Sequence, residues 1–431
     1  MPLKKLAWAS APDRWSVTLL TDPVPHNRRT LSAEHKRLLE LQISEWTSSG
    51  TAVKVLRGFP SQPVFVKKKN GKTRVCGDFR PLNDVTEEFD WPLPRLQDMR
   101  HHVRGFTWFA SIDLKDAFHR IHIPPDLRKW VSISTPWGLF SFTKMTFGLK
   151  NAPSYFQRYL DHLLQAFSAW AIWYQDDILV LGHTAKEVAH RWMHLKKVLE
   201  RDGNLVNTEK SEGPTQKITW CGLTFTPEGL TCGDPLSKDL PTPYNKKDRQ
   251  SALGWLNYFR DYIPNFSHYT ELITPNQHNQ VRSVDYEEDW SRLLEICAKH
   301  VDLSHWTPGR DAQLFTDASG YAMGGILVQQ GKVIALWSKK LSPAQTRYSA
   351  TDREHLALAT SAEKFRVFLQ DRKVCTTVYT DHSALLNRDW KDLRPIQVRW
   401  VLTIRRYILR LQHIAGQENP ADFLSRKGMG G

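Results

Sequence analysis

The chain has 431 residues, too many for one ordinary hydrophobic core, so two or more domains are expected. Hydrophobic residues at 41% exclude a disordered chain, and a formal charge of +14 points to a polyanionic partner, nucleic acid ahead of an anionic membrane surface. Cys76, Cys221, Cys232, Cys297 and Cys375 are widely spaced with no CxxC pair, which excludes a zinc ribbon or disulfide framework and fits a reducing compartment.

Residues 1–30, with Pro12, Pro23 and Pro25, show little periodicity and are expected to be irregular, with no signal peptide. "LSAEHKRLLELQISEWTSSG" predicts a helix capped by Ser32, with Leu38, Leu41 and Trp46 as its apolar stripe and Gly50 closing it. "QPVFVKKKNGKTRVCGDF" predicts a hairpin turning at Asn70-Gly71. "FTWFASIDL" predicts a strand ending near Asp113, and "NAPSYFQRYLDHLLQAF" a helix with Phe156, Leu160, Leu163 and Leu164 on one side. A hairpin over 171–182 is followed by a helix over 185–202 and a strand pair, "KITWCGLTFTPEGLTC", turning at Pro227-Glu228-Gly229.

Residues 233–250 are polar and rich in Pro and Lys, which predicts a boundary. "QSALGWLNYFRDYI" predicts a helix, and 270–285 a loop. From about residue 304 the pattern becomes strands 313–317, 321–329 and 333–338, helix 351–370, strand 374–381, helix 395–406, strand 407–414 and a short final helix. Three antiparallel strands followed by alternating helices and strands make a self-contained mixed α/β domain. No stretch approaches the ~20 apolar residues that cross a bilayer.

Carboxylates gather at the ends of these elements. Asp176 and Asp177 lie at the tip of the 171–182 hairpin, and Asp113 ends a second strand. Adjacent aspartates are common in polar turns, yet three carboxylates at one sheet edge are also what magnesium ions need beside a substrate phosphate. In the second half, Asp317 ends a strand, Glu354 lies in a first helical turn, Asp381 ends a strand and Asp422 opens the last helix. Each has an ordinary alternative: Thr351 and Glu354 have capping-box spacing, and Asp422 suits a helix macrodipole.

"IDLKDAF", "TFGLKNAPSYFQ", "YQDDILV" and "WCGL" follow one another in the order of reverse transcriptase palm motifs, and "PVFVKKKNGKTRVCGDFRPLN" and "WPLPRL" resemble the fingers of that family. "TDAS", "YSATDREHLAL", "VYTDHS" and "HIAGQENPADFLSR" match the four carboxylate contexts of ribonuclease H domains. From about residue 25 to 426 the chain resembles the reverse transcriptase–ribonuclease H of gypsy-type long-terminal-repeat retrotransposons.

That resemblance implies an α+β fold, a right-hand polymerase with fingers, palm and thumb followed by a mixed α/β ribonuclease H domain. Its divisions are an irregular segment over 1–30, fingers and palm over 31–229, thumb and linker over 230–303, and ribonuclease H over 304–431. It implies RNA- and DNA-directed DNA synthesis and cleavage of RNA in hybrids, with two Mg2+ ions per active site and Mn2+ as a substitute. The implied partners are RNA template, DNA primer, RNA/DNA hybrid and deoxynucleoside triphosphates, with no membrane. The chain would act as a monomer or substrate-induced dimer, in a cytoplasmic retroelement particle.

Carried onto matching positions, the resemblance makes Asp113, Asp176 and Asp177 the polymerase metal ligands, and Asp317, Glu354, Asp381 and Asp422 those of the nuclease. It assigns the incoming nucleotide to Lys68, Arg74, Phe118, Phe147, Gly148, Gln157 and Lys210, with Phe118 blocking a ribose 2′-hydroxyl and Lys210 protonating pyrophosphate. Trp220, Cys221, Gly222 and Leu223 would grip the primer, Asn257, Tyr258 and Arg260 would face the duplex from a thumb helix, and His413 would aid product release. Leu223 departs from the usual aromatic or histidine, and Thr146 from proline. Without a DTG or DSG protease motif, an HHCC arrangement or an integrase-like acidic triad, the chain is expected to be a processed or trimmed product. An RNA-synthesising polymerase, a non-catalytic scaffold and a nuclease with a structural polymerase half remain as rivals. Phe118 and the nuclease half oppose the first, and the seven acids oppose the second.

Overall fold

The computed structural model describes residues 13–25, 30–67, 71, 73–94, 99, 102–232, 242–264, 266, 284–298, 301–370, 375–386 and 393–425. Two compact units divide the chain, residues 1–221 and 222–431.

The first unit opens with helix α1, Ala33–Ser48, whose N-cap Ser32 accepts a hydrogen bond from the His35 backbone N–H. Its buried face is Leu39, Ile43 and Trp46, while the expected Leu41 is 62% exposed. The i, i+4, i+7 set lies on one side of a 3.6-residue helix, and Leu41 falls off it. Strands β1 (Ala52–Val55), β2 (Pro60–Lys67) and β3 (Thr73–Asp78) follow, and β2–β3 form the expected antiparallel hairpin. A short helix α2 (Arg80–Val85) leads toward β4 (Trp108–Lys115), which runs two residues past Asp113. With β5 (Ser132–Thr135) and β6 (Gly138–Phe142), the first three strands make a sheet of order β1-β6-β5-β2-β3.

Helix α3, Ala152–Leu164, buries Tyr155, Phe156, Tyr159, Leu160 and Leu164 against one continuous core, whereas Leu163 is only half-buried. Strands β7 (Ala171–Tyr174) and β8 (Asp177–Gly182) form the central hairpin, followed by helix α4 (Ala185–Arg201) and strand β9 (Leu205–Val206). Their sheet has order β7-β8-β4-β9. Five of six β8 residues are buried, so this strand is a hydrophobic run without alternation, as a strand covered on both faces requires. The unit ends with β10, Ile218–Trp220.

In the second unit, β11 (Leu223–Phe225) and β12 (Gly229–Cys232) pair across the turn expected at Pro227-Glu228-Gly229. Helix α5, Lys246–Tyr258, starts inside the stretch expected to be a boundary, because Asn245 caps it by accepting from the Asp248 N–H. It ends before Arg260, so Asn257, Tyr258 and Arg260 do not share one helical face; Arg260 instead donates to Asn257 Oδ1 at 3.1 Å. Helix α6, Val284–Ala298, was not expected; Trp290, Leu293 and Leu294 anchor it. Residues 270–283 of the expected loop lie outside the described residues. Strand β13 (Leu303–Ser304) then pairs with β12.

Strands β14 (Ala312–Ala318), β15 (Ala322–Gln329) and β16 (Lys332–Lys340) are antiparallel, as expected. The expected 351–370 helix is two pieces, α7 (Ala350–Lys364) and α8 (Arg366–Leu369). Strands β17 (Thr376–Thr380) and β18 (Leu409–His413) extend the sheet in parallel, giving order β16-β15-β14-β17-β18, with α9 (Pro395–Ile404) between them and α10 (Asp422–Ser425) at the end. Among the described residues no helix is long and apolar enough to cross a membrane.

Candidate active sites

The β4–β8 register brings the first three acids together. Asp113 lies directly opposite Asp177, and the Leu114 N–H donates to the Asp176 carbonyl at 3.1 Å. Like charges opposed across a ladder repel. Burial lifts the Asp177 carboxyl to about 6, Asp176 and Asp113 add to the lift, and Lys210 opposes it. Burial also raises Asp176; its own backbone hydrogen bond, Lys210 and Arg74 oppose the rise, while Asp113 adds to it. Asp113 is better compensated: its Oδ1 accepts from Asn207 Nδ2 at 2.9 Å, and Lys210 Nζ lies 3.7 Å from its Oδ2. Burial pushes the Cys221 thiol well above its ordinary value, with the charges of Asp177 and Asp176 contributing. The acidic edge holds more negative charge than its surroundings neutralise.

The turn carrying these acids is a two-residue hairpin connection. Only Gln175 and Asp176 separate β7 from β8, and Gln175 takes φ +55, a conformation that side chains other than glycine seldom adopt. The Gln175 N–H donates to Gln157 Oε1 at 3.0 Å, and Gln175 Nε2 donates to the Pro153 carbonyl at 3.2 Å. Gln157 is fully buried, and its own Nε2 donates to Asp161 Oδ1 at 2.9 Å. Both ends of the Gln157 amide are thus used inside the fold, which makes it a strut for the turn where a nucleotide contact was expected.

Arg74 stacks over the Phe147 ring, 4.1 Å from its centroid, and Phe118 meets Phe147 and Phe156 edge-on at 5.1 and 5.7 Å. Phe118 is half-buried against the core. Arg74 and Phe147 line a cavity of about 830 Å3 together with Asp116 and Ala117. Gly148 is exposed with φ +95, and a Cβ there would approach the Gly77 carbonyl to 3.2 Å. Lys68 lies outside the described residues. Trp220 and Leu223 are buried, while Cys221 (φ +48) is half-buried and Gly222 (φ +77) exposed.

In the second unit Asp317, Glu354 and Asp381 offer carboxylate oxygens that all lie within 4.8 Å of one another. Asp317 and Asp381 stand at the carboxyl ends of the parallel neighbours β14 and β17, and α7 carries Glu354 across them. Glu354 Oε1 accepts from the Ala318 N–H at 2.9 Å, but its Oε2 is buried without a hydrogen-bond partner. Burial first, then the charges of Asp317 and Asp381, raise the Glu354 carboxyl to about 8. A hard divalent cation fits this donor set: an orphaned carboxylate oxygen and two neighbouring acids, with no softer ligand among them.

Glu354 is free for this role because Ser349, two residues before the expected Thr351, is the N-cap. Its hydroxyl accepts from the Asp352 N–H and donates to the Asp352 carboxylate, so the acid at the capping position is Asp352, not Glu354. Asp422 lies outside the three-acid group, and one turn along α10 Ser425 donates its hydroxyl to Asp317 Oδ2. His413 is exposed on β18 in register with Thr380, the residue before Asp381.

Asp352 shows how α7 is fixed. Burial alone would raise its pKa, but hydrogen bonds from Gln397, Ser349 and Arg394, with the charge of Arg394, lower it to about 2. The depressed value means that its stabilisation is present above pH ~4 and is lost as pH falls through about 2. Asp352→Asn is expected to cost about 2 kcal/mol above pH 4 in denaturant unfolding of this unit, with the difference fading toward pH 2. A pH-independent difference would contradict this account.

Asn207, Gln175, Asp161 and Ser425 were not expected at these sites. Gln175 and Ser425 lie inside the motifs "YQDDILV" and "HIAGQENPADFLSR", where only the neighbouring acids drew notice, while Asn207 and Asp161 lie outside every motif.

Residues 66–225 match the family model "Reverse transcriptase (RNA-dependent DNA polymerase)", and residues 307–407 match "RNase H-like domain found in reverse transcriptase". The Tf2-3 and Tf2-7 transposon polyproteins of Schizosaccharomyces pombe are each 28% identical over 410 residues, 89% of this chain. The chain spans 30% of the length of those relatives. Among solved structures, the foamy viral protease-reverse transcriptase with RNA/DNA hybrid aligns with a TM-score of 0.72 at 18% identity, over 92% of this chain and 56% of that one. A second foamy viral structure, with double-stranded DNA, reaches 0.78 at 18% identity over 92% and 72%. The fold is therefore a reverse-transcriptase-like α/β unit followed by an α/β ribonuclease H-like domain. The chain is a reverse transcriptase and ribonuclease H domain pair homologous to the gypsy-type Tf2 retrotransposon polyproteins.

Proposed function

We propose that this chain copies primed RNA and DNA templates into DNA with magnesium, degrades the RNA of the resulting hybrids, and serves retroelement replication. The observation that carries the reading is the assembly of two carboxylate groups, Asp113 opposite Asp177 in one unit and Asp317 with Glu354 and Asp381 in the other. Within the chain we assign fingers and palm to 31–229, thumb and linker to 230–303 and the nuclease to 304–431, after an irregular 1–30.

In the polymerase site Asp113, Asp176 and Asp177 would hold two Mg2+ ions, or Mn2+ in their place. In the nuclease site Asp317, Glu354 and Asp381 would do the same, with Asp422 drawn in from α10. Bound there, the ions activate an attacking oxygen and neutralise charge on the leaving group. Arg74, braced on Phe147, supplies a fixed positive charge for a triphosphate. Lys210, exposed beside Asp113, can pass a proton to departing pyrophosphate. The net charge of +14 favours a duplex held by its phosphates.

Primer extension on RNA and DNA templates, run beside cleavage of a labelled hybrid, tests the whole reading; a chain inert in both would end it. Phe118 provides a finer check. Its ring, held by Phe147 and Phe156, is proposed to exclude a 2′-hydroxyl by contact. Phe118→Val should raise ribonucleotide use relative to deoxynucleotide use by on the order of 10–100-fold. An unchanged ratio of kcat/KM values would return Phe118 to the core.

A further inference from the structure

We infer that Asp161 is a positioning residue for polymerisation, acting through Gln157 on the Gln175–Asp177 turn. This inference rests on the polymerase reading above and goes beyond it, because Asp161 belongs to none of the motifs and lies on α3, one helical turn beyond Gln157.

The Asp161 carboxylate accepts three hydrogen bonds from separate parts of the first unit. Trp91 Nε1 donates to its Oδ2 at 2.6 Å, Trp173 Nε1 donates to its Oδ1 at 2.7 Å, and Gln157 Nε2 donates to the same Oδ1 at 2.9 Å. An ionised carboxylate only accepts, and an indole only donates. Asp161 therefore dictates which way round the Gln157 amide sits. With its NH2 held on the Asp161 side, the Gln157 carbonyl must face the other way, toward the Gln175 N–H. That bond holds Gln175 at φ +55, immediately before Asp176 and Asp177. Trp173, on the strand entering the same turn, is tied to the same carboxylate, so the strand and the turn are located together.

A leucine at 161 removes every acceptor from this point while keeping a side chain of similar reach. The Gln157 NH2 then has no partner, and its amide loses the bond that fixes it against the Gln175 N–H. The acids then lose the fixed geometry that two closely spaced ions require. An asparagine would break less, because one oxygen at the Oδ1 position still accepts from Trp173 and Gln157, and only Trp91 meets the NH2.

The test compares wild type, D161L, Q157M and W91F as full chains. Hydrogen–deuterium exchange of the peptide over 171–177 is expected to quicken in D161L and Q157M, while that over 108–115 keeps its protection. Primer extension is expected to lose on the order of 10–100-fold in kcat, with the deoxynucleotide KM within about threefold, as displaced catalytic groups predict. W91F removes one indole bond but leaves Gln157 oriented, so its kcat should stay within about threefold of wild type. Hybrid cleavage should be unaltered in all three. Unchanged exchange at 171–177 in D161L, or equal losses in W91F and D161L, overturns the inference. If D161L fails to fold, Q157M, which retains both indole bonds, decides by the same readouts. A wild-type chain that does not extend primers refutes the polymerase reading instead, while the exchange data still decide the Asp161–Gln157 link.

Discussion

Asp176→Asn is expected to abolish primer extension, by a factor on the order of 10^3 or more, and to leave hybrid cleavage within about twofold of wild type. The substitution keeps shape and hydrogen-bonding capacity but removes one of the negative charges gathered at the β4–β8 edge, where Asp113 faces Asp177. The uncompensated charge also predicts an opposite effect on stability. Burial and its acidic neighbours hold Asp177 at about 6, above an ordinary aspartate. A raised folded pKa means that ionisation opposes folding: the favourable contribution is present below pH ~4 and is gone once pH passes about 6. Asp177→Asn should therefore melt higher than wild type at pH 7.5 without divalent ions, and lose that advantage toward pH 4. Added Mg2+ should favour the wild type and narrow the gap. A variant that keeps extending primers, or one that is destabilised in the ion-free state, would remove Asp176 and Asp177 from the roles proposed for them.

The acids were legible in the sequence because each lies beside an element whose apolar run is easy to see. A strand such as "ASIDL" fixes where Asp113 emerges, and "TTVYTD" does the same for Asp381. What brings them together was less visible. The Asp113–Asp177 register depends on pairing across distant sequence; the resemblance to known polymerases grouped these acids, where periodicity could not, without giving the register. Helix α6 was missed because its polar first half, "VDYEED", resembles a loop until Trp290, Leu293 and Leu294 find a core. The cap spacing at Thr351 and Glu354 is not used, since Ser349 and Thr351 are both able caps and the helix starts from Ser349. Gln157 was expected at a nucleotide because its motif lies there, yet the structure turns its amide inward to Gln175 and Asp161. Spacing locates a side chain on a helix but does not say which end of an amide is needed where.

Hybrid cleavage at limiting divalent ion is expected to rise with pH up to about 8, and the rise should move to lower pH as ion concentration increases. Glu354 is the source. Burial, Asp317 and Asp381 raise its carboxyl to about 8, so at neutral pH an arriving cation must displace a proton from it. Ion binding and proton release are then linked, and more ion lowers the pH at which the carboxylate forms. Stability gives the complementary signature. Glu354 is 4% exposed, and its stabilising protonated form is fully available below pH ~4.5 and lost as pH rises through about 8. Glu354→Gln mimics the protonated acid, so it should abolish cleavage yet stabilise the ion-free unit by roughly 2–3 kcal/mol near pH 7. That gain should vanish below pH 4.5, where wild type already carries the proton in both folded and unfolded chains. A cleavage profile whose midpoint ignores ion concentration, or an ion-free Glu354→Gln variant weaker than wild type at pH 7, would show that the Glu354 oxygen left without a hydrogen bond is not waiting for a cation.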